Sequence, residues 1–398
     1  MSNSAVSDDQ QPFVSSRGSE TRGLKSYVPE IDALRAVAAL AVVLQHCGLL
    51  PIGWMGVWLF FVISGFAITS SLRKSDAQAI GTWRRILNFF VRRSIRIWPI
   101  YFLYVFACAA VFIVVGAEEN LGNLPYLFTF TFNLKMIFDP VVSDHASAAI
   151  IGHLWTISVE EQFYIAYPFL FFFLNRERFK HVLLACILMG PLIRWVFALW
   201  IAQMGWSDGR NAFAIYALSI THFDAFAIGC ALSLSRETLV ANKNLSRRIL
   251  LFGLLVAIAH VCVYVGLNVS ANMTGVEALK GVVSGTLWGQ GREVFVYCAV
   301  VYVSAGIVAL VLAEDPLVLR LCRVYGLQFL GRISYGIYLY HALVLYFVNG
   351  VYDQVFQAET IILNIPKFFV VTAVSVLVAH LSYRFIESPI SRLRKRFP

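Results

Sequence analysis

Apolar stretches of about twenty residues, set apart by short polar or basic segments, recur from residue 31 to residue 386. At 1.5 Å rise per residue each can cross roughly 30 Å of hydrocarbon. They lie near 31–50, 52–72, 95–116, 153–175, 181–204, 213–235, 249–270, 293–313, 333–352 and 365–386. The predicted fold class is an all-α membrane protein, a bundle of about ten transmembrane helices. The stretch 123–134 (NLPYLFTFTFNL) is apolar but too short to span, and reads as re-entrant or interfacial. Residues 1–27 are polar and Ser-rich without the apolar run of a signal peptide, so a disordered cytoplasmic tail is expected there. Residues 28–392 then form the transmembrane domain and 393–398 a basic cytoplasmic tail.

Composition agrees with this pattern. The chain is 59% hydrophobic and 14% charged, whereas a soluble domain is about 25% charged. The net charge of +9 raises the question of nucleic acid, and the positions of the charges answer it. With the N-terminus in the cytoplasm, 25 of the 32 Lys and Arg residues fall in the tail, the termini and the cytoplasmic loops. Five fall in outer loops, and Arg35 and Arg194 fall within spans. This is the positive-inside signature, with both termini cytoplasmic. No nucleic-acid partner is expected. Six of the seven cysteines lie in apolar stretches and none forms a CxxC, so neither a disulfide framework nor a zinc site is expected.

An ionisable group at the centre of a span costs about 2.5–3.5 kcal/mol on an insertion scale, so those that persist are candidates for chemistry. Arg35 and His46 are eleven residues apart. They therefore share a helix face, roughly 16 Å apart along the axis. Asp32 lies one turn before Arg35 and can pair with it. The fourth stretch opens His153-Leu154-Trp155-Thr156-Ile157-Ser158-Val159-Glu160-Glu161, and two adjacent carboxylates inside a span are hard to explain by packing. Counted from the ends of their spans, His46 and Glu160 both lie about 20 Å from the cytoplasmic boundary. An imidazole and a carboxylate at one level suit general-base work on a hydroxyl. Arg93 and Arg96 sit one turn apart at the inner boundary, where guanidinium groups can grip phosphates, although positive-inside charge accounts for arginines there too. His222, Asp224 and His341 are further ionisable groups in spans, which act more often as interhelical hydrogen-bond partners than in catalysis.

These residues resemble those of the membrane acyltransferase 3 family of O-acyltransferases. Arg35 and His46 match its Arg-x10-His motif. Gly56-Val57-Trp58-Leu59-Phe60-Phe61-Val62-Ile63-Ser64-Gly65-Phe66 matches a second motif, and Arg93 with Arg96 a third. Trp155 through Tyr164 matches Trp-Ser-Leu-x-x-Glu-x-x-Phe-Tyr, with Thr156 for Ser and Ile157 for Leu. Ser334 to His341 and Tyr383 to Pro389 match the last two. The match runs in the family's order over roughly residues 28–392.

The resemblance implies ten helices and an acyl-CoA donor, expected to be acetyl-CoA, approached from the cytoplasm. It implies transfer to a hydroxyl of an exported or cell-surface polysaccharide, lipopolysaccharide sugar or glycolipid, at the bacterial inner membrane. It also implies that His46 is essential and that Arg93 and Arg96 help to bind the donor. Glu160 is expected to orient His46, with Arg35 and Asp32 completing the polar path. His46 would act as base or as acyl carrier. Glu161, Trp155, His153, Asp224, His222 and His341 are expected to support the site or contact substrate. A stand-alone member without the SGNH domain is expected. The alternative is a proton-coupled transporter or flippase of a glycan or lipid precursor, since buried His, Glu and Asp also serve carriers. Such carriers commonly show repeats with broken helices at matching positions, and no repeat is visible in the sequence.

Overall fold

A computed structural model of the chain describes residues 27–139, 149–279, 281–283, 289, 291–355 and 361–397. All but one of the residues of the expected tail 1–27 lie outside these. No strand occurs among the described residues. Helix α1 spans Pro29–His46, α2 Met55–Asp76 and α3 Thr82–Val114. Three short helices, α4 (Leu124–Phe128), α5 (Phe132–Phe138) and α6 (Ala149–Gly152), lead to α7 (Trp155–Phe173). Then follow α8 (Arg176–Ala202), α9 (Asp208–Ala217), α10 (Phe223–Leu234), α11 (Arg236–Ala241), α12 (Lys243–Ser270) and α13 (Val276–Leu279). The last are α14 (Arg292–Leu312), α15 (Pro316–Cys322), α16 (Tyr325–Arg332), α17 (Ser334–Val355), α18 (Ile361–Ser382) and α19 (Ser388–Ser391).

A helix overlies each of the ten expected stretches, one of them broken. Among the described residues six are long and apolar enough to cross a membrane: α2, α3, α8, α12, α14 and the run from Ile362 to Arg394. The α9–α10 pair makes a seventh if it counts as one span. Ten crossings remain an expectation. The short stretch at 123–134 becomes the end of a 3-10 turn, α4 and the start of α5, which packs against α7 and α9.

The bundle is layered by burial. The apolar window of α14 is 78% buried and that of α2 67%, whereas those of α8 and α12 are 17% buried. α14 and α2 are apolar around their circumference and form the centre, as such helices must. α8 and α12 expose large side chains such as Leu184, Leu188, Leu251, Phe252 and Ile258 outward. That is the surface a lipid annulus covers. α2 and α10 approach closely at Gly65 and Gly229: a Cβ on Gly65 would meet the Phe226 carbonyl, and one on Gly229 the Val62 carbonyl.

α9 and α10 meet at a 70° bend around Leu218, whose backbone is extended. A break at membrane depth frees carbonyl groups, which must be satisfied within the protein. Side chains do so here. Thr221 Oγ1 donates to the Ile215 carbonyl (2.8 Å), His222 Nε2 to Tyr216 (2.9 Å) and Asn133 Nδ2 to Ala217 (3.1 Å). Arg194 Nη1 donates to Thr221 (2.6 Å), and also holds Asp224 Oδ2 at 2.9 Å in a pair sealed from solvent.

Candidate active site

α1 stops at His46, four residues short of the predicted end, for a local reason. Gly48 adopts the left-handed conformation (φ +74°). Its N–H reaches the Gln45 carbonyl at 2.8 Å and the Leu49 N–H reaches Leu44 at 2.9 Å, the paired bonds of a Schellman stop. His46 is thereby fixed as the last helical residue, exposed on one side.

On its other side His46 Nδ1 lies 3.0 Å from His341 Nε2. His341 Nδ1 in turn lies 2.6 Å from the Tyr338 carbonyl. A carbonyl only accepts, so His341 carries its proton on Nδ1 and offers a lone pair at Nε2. His46 must then donate from Nδ1, which leaves its own Nε2 unprotonated. One backbone carbonyl thus sets two tautomers in series. His153 completes the cluster: Nε2 donates to the Leu339 carbonyl at 3.1 Å, and its ring meets that of His341 edge to face at 5.0 Å.

A chamber lies between α1, α2, α3, α7 and α17. α2 gives it Val57, Phe60, Phe61, Ile63, Ser64 and Ala67, whose three- and four-residue spacings mark one helix face. Ser64 is the polar member of that stripe, and its hydroxyl donates to Glu160 Oε1 at 2.7 Å. Arg93 lies over the Tyr164 ring, 4.2 Å from its centroid, and Arg96 and Arg35 complete the basic wall. Arg35 Nε donates to Ser334 Oγ at 3.2 Å. Tyr338 connects chamber and dyad: its ring lines the chamber and its carbonyl holds His341.

Several expected juxtapositions take another form. Glu160 bonds to Ser64, and the hydrogen bond of His46 runs to His341. The expected depth of His46 is counted from residue 31, so the stop at Gly48 leaves it unchanged and makes His46 the last residue of α1. Asp32 accepts from the Tyr27 hydroxyl rather than pairing with Arg35, although both line one cavity. His153 precedes α7 in a turn and points to α17, away from Glu160. Glu161 turns off the chamber and is buried with one carboxylate oxygen lacking a hydrogen-bond partner. Trp155 packs on Tyr216 at 4.8 Å, and His222 and Asp224 secure the broken helix. Ser64, Ser334, Tyr164 and Tyr338 stand inside the matched motifs but were given no role from sequence, and Arg194 was not read as the partner of Asp224. The α2 stripe was the available signal for Ser64.

Residues 28–384 match the acyltransferase domain of the acyltransferase 3 family. The chain belongs to that family. It is 23% identical over 385 residues to the O-acetyltransferase OatA of Staphylococcus aureus, covering 92% of this chain and 57% of that one. It is 27% identical over 386 residues to the putative peptidoglycan O-acetyltransferase YrhL of Bacillus subtilis (92% and 55%). It is 26% identical over 394 residues to the peptidoglycan O-acetyltransferase OatA of Listeria monocytogenes (94% and 57%). The chain thus spans just over half the length of these curated relatives. No solved structure matches it.

Proposed function

We propose that this chain transfers an acyl group, acetyl in the simplest case, from acyl-CoA to a hydroxyl of a cell-envelope polysaccharide of the peptidoglycan class. The observation that carries the reading is the His46–His341 pair, which leaves an unprotonated Nε2 on an exposed imidazole. In this reading Nε2 takes the proton of the acceptor hydroxyl as its oxygen attacks the thioester carbonyl. The C–S bond breaks and the imidazolium returns the proton to the leaving thiolate. While the ring is charged, its Nδ1–H is held by His341, a charge-assisted bond absent from the neutral state. Arg35, Arg93 and Arg96 line the chamber without a salt bridge among the described residues, which suits a phosphorylated donor. Glu160 fixes Ser64 at the chamber wall.

The acceptor class comes from the names of the relatives, which specify peptidoglycan where they specify a polymer. None of them favours the lipopolysaccharide expected earlier. The carrier alternative has one broken helix in its favour, but among the described residues that break has no counterpart at a matching position. The deciding experiment is acetyl transfer or hydrolysis from radiolabelled acetyl-CoA by the purified protein. His46→Ala is expected to lose turnover and keep donor binding, and Arg93→Ala/Arg96→Ala to lose binding. A wild-type protein with no affinity for any acyl-CoA overturns the reading.

A further inference from the structure

A second cavity adjoins the chamber. Arg35 and Arg96 line both, so these two side chains form the partition. Beyond it the cavity presents four guanidinium groups, Arg35, Arg96, Arg332 and Arg394, against two carboxylates, Asp32 and Glu387. Four minus two leaves an excess of two positive charges. None of the four arginines forms a salt bridge among the described residues. The two carboxylates offset them only in part, Glu387 attracting Arg96, Arg35 and Arg394 without a direct ion pair. Asp32 accepts from Tyr27, and one oxygen of Glu387 is buried without a hydrogen-bond partner. Like charges in excess around one space are held there against their mutual repulsion, and an anion with at least two charges relieves it.

Glu387 and Arg394 come from the segment that follows α18. After α18 the backbone makes a π turn over Tyr383–Glu387, a form that is rare and often found at functional sites. Tyr383 and Glu387 both face the cavity from this turn. The chain then folds back along α3, where Arg92 Nη1 donates to the Phe397 carbonyl at 3.1 Å. Arg394, in the segment expected to be a basic tail, thus lines the cavity.

We infer that this cavity is a phosphate site which holds the phosphorylated end of the donor, and that Arg332 and Arg394 are ligands in it. The ligand class is a nucleotide carrying a diphosphate and a further phosphate monoester. The inference rests on the acyl-CoA reading above. Its acyl-bearing arm would pass Arg35 and Arg96 to reach the chamber. A phospholipid headgroup offers the same chemistry at a membrane boundary, so the test separates the two sources.

The test is equilibrium binding of acetyl-CoA, and of its 3′-dephospho analogue, to the full chain in nanodiscs. Variants are Arg332→Gln/Arg394→Gln and Glu387→Gln, and native mass spectrometry of each reads retained phospholipid. Both positions are at least partly exposed, and the expected loss of affinity for the double variant is about tenfold. Glu387→Gln removes an opposing charge and tightens binding a few-fold, which a merely structural carboxylate does not do. The dephospho analogue binds wild type more weakly and is less sensitive to the double substitution. If the double variant binds within twofold of wild type and Glu387→Gln does not tighten, the phosphate site is overturned while the donor reading stands. If the double variant loses a retained anionic phospholipid with acetyl-CoA affinity unchanged, the cavity is a lipid site and the donor assignment to it falls. If wild type binds no acetyl-CoA, the proposed function falls and takes this inference with it.

Discussion

Replacing His341 tests the series of tautomers directly. In wild type the Tyr338 carbonyl fixes His341, and His341 fixes His46, at 2.6 Å and 3.0 Å. His341→Ala removes the acceptor for His46 Nδ1–H. The neutral ring can then choose the wrong tautomer, and the imidazolium formed in the transition state loses a charge-assisted bond worth about 1.5–3 kcal/mol. That interaction strengthens only as charge develops, so its loss appears in kcat rather than in KM. At 1.4 kcal/mol per factor of ten, the expected fall in kcat is about 10–150-fold. His341→Gln places an amide oxygen near the position of Nε2 and restores an acceptor, so kcat is expected to recover to within about tenfold of wild type. The assay is initial-rate acetyl transfer with both substrates varied, beside a thermal melt of each variant. His341→Ala at wild-type kcat refutes the reasoning. So does His341→Gln as slow as His341→Ala with an unchanged melt, because acceptor chemistry at that position would then be irrelevant.

Two further predictions concern the frame around the site. Arg194→Met strands the Asp224 carboxylate in the core and frees the Thr221 carbonyl; a loss of about 3–5 kcal/mol is expected, read as a marked drop in melting temperature. Gly48→Ala must hold a left-handed backbone at a strain of about 1–2 kcal/mol and would crowd Asn364. It is expected to lower kcat by shifting the end of α1 while donor affinity, measured by direct binding, stays put. A variant with unaltered kcat would show that the Schellman stop does not position His46.

The positions of helices were legible because hydrophobicity repeats with span length. Arg35, His46, Arg93 and Arg96 stood out because charge is expensive in an apolar stretch, and all four line or flank the polar interior. Their partners were not legible in the same way. His341 sits 295 residues from His46, and no periodicity within one helix reports which face of another it meets. The end of α1 was readable in principle: Gly48 follows the last turn at the place where a left-handed residue ends helices. Reading the span on apolarity alone carried it through Cys47, Leu49 and Leu50. His222 and Asp224 looked chemical for the same reason as His46, namely polarity at depth. The structure gives them a different task, since the bend at Leu218 leaves carbonyls that only side chains can satisfy.

The helices that fall short as membrane spans are informative in this light. α1 carries Glu30, Asp32, Arg35 and His46; α7 carries Glu160, Glu161 and Gln162; α17 carries Ser334, His341 and five tyrosines. These three, with the broken α9–α10, are the stretches not counted among the six apolar helices. α1 and α17 supply His46 and His341, α7 supplies Glu160, and α17 supplies the acceptor for Arg35. α3 escapes because it is long: its arginines end at Arg96, and the 18 residues from Ile97 to Val114 carry no charge. A polar site inside a membrane lowers the apolarity of the helices that build it, so apolar length undercounts spans where function is concentrated. α1 packs against α2, α16, α17 and α18, with Val37 and His46 left exposed. A helix so packed can keep its charged side chains because protein groups replace the water they leave. Whether α1, α7 and α17 cross the bilayer therefore turns on their packing in the bundle, and cysteine accessibility from the two sides of the membrane at positions 27 and 52 decides it for α1: opposite sides mean that it crosses, and the same side means that the basic wall and the dyad open to one compartment.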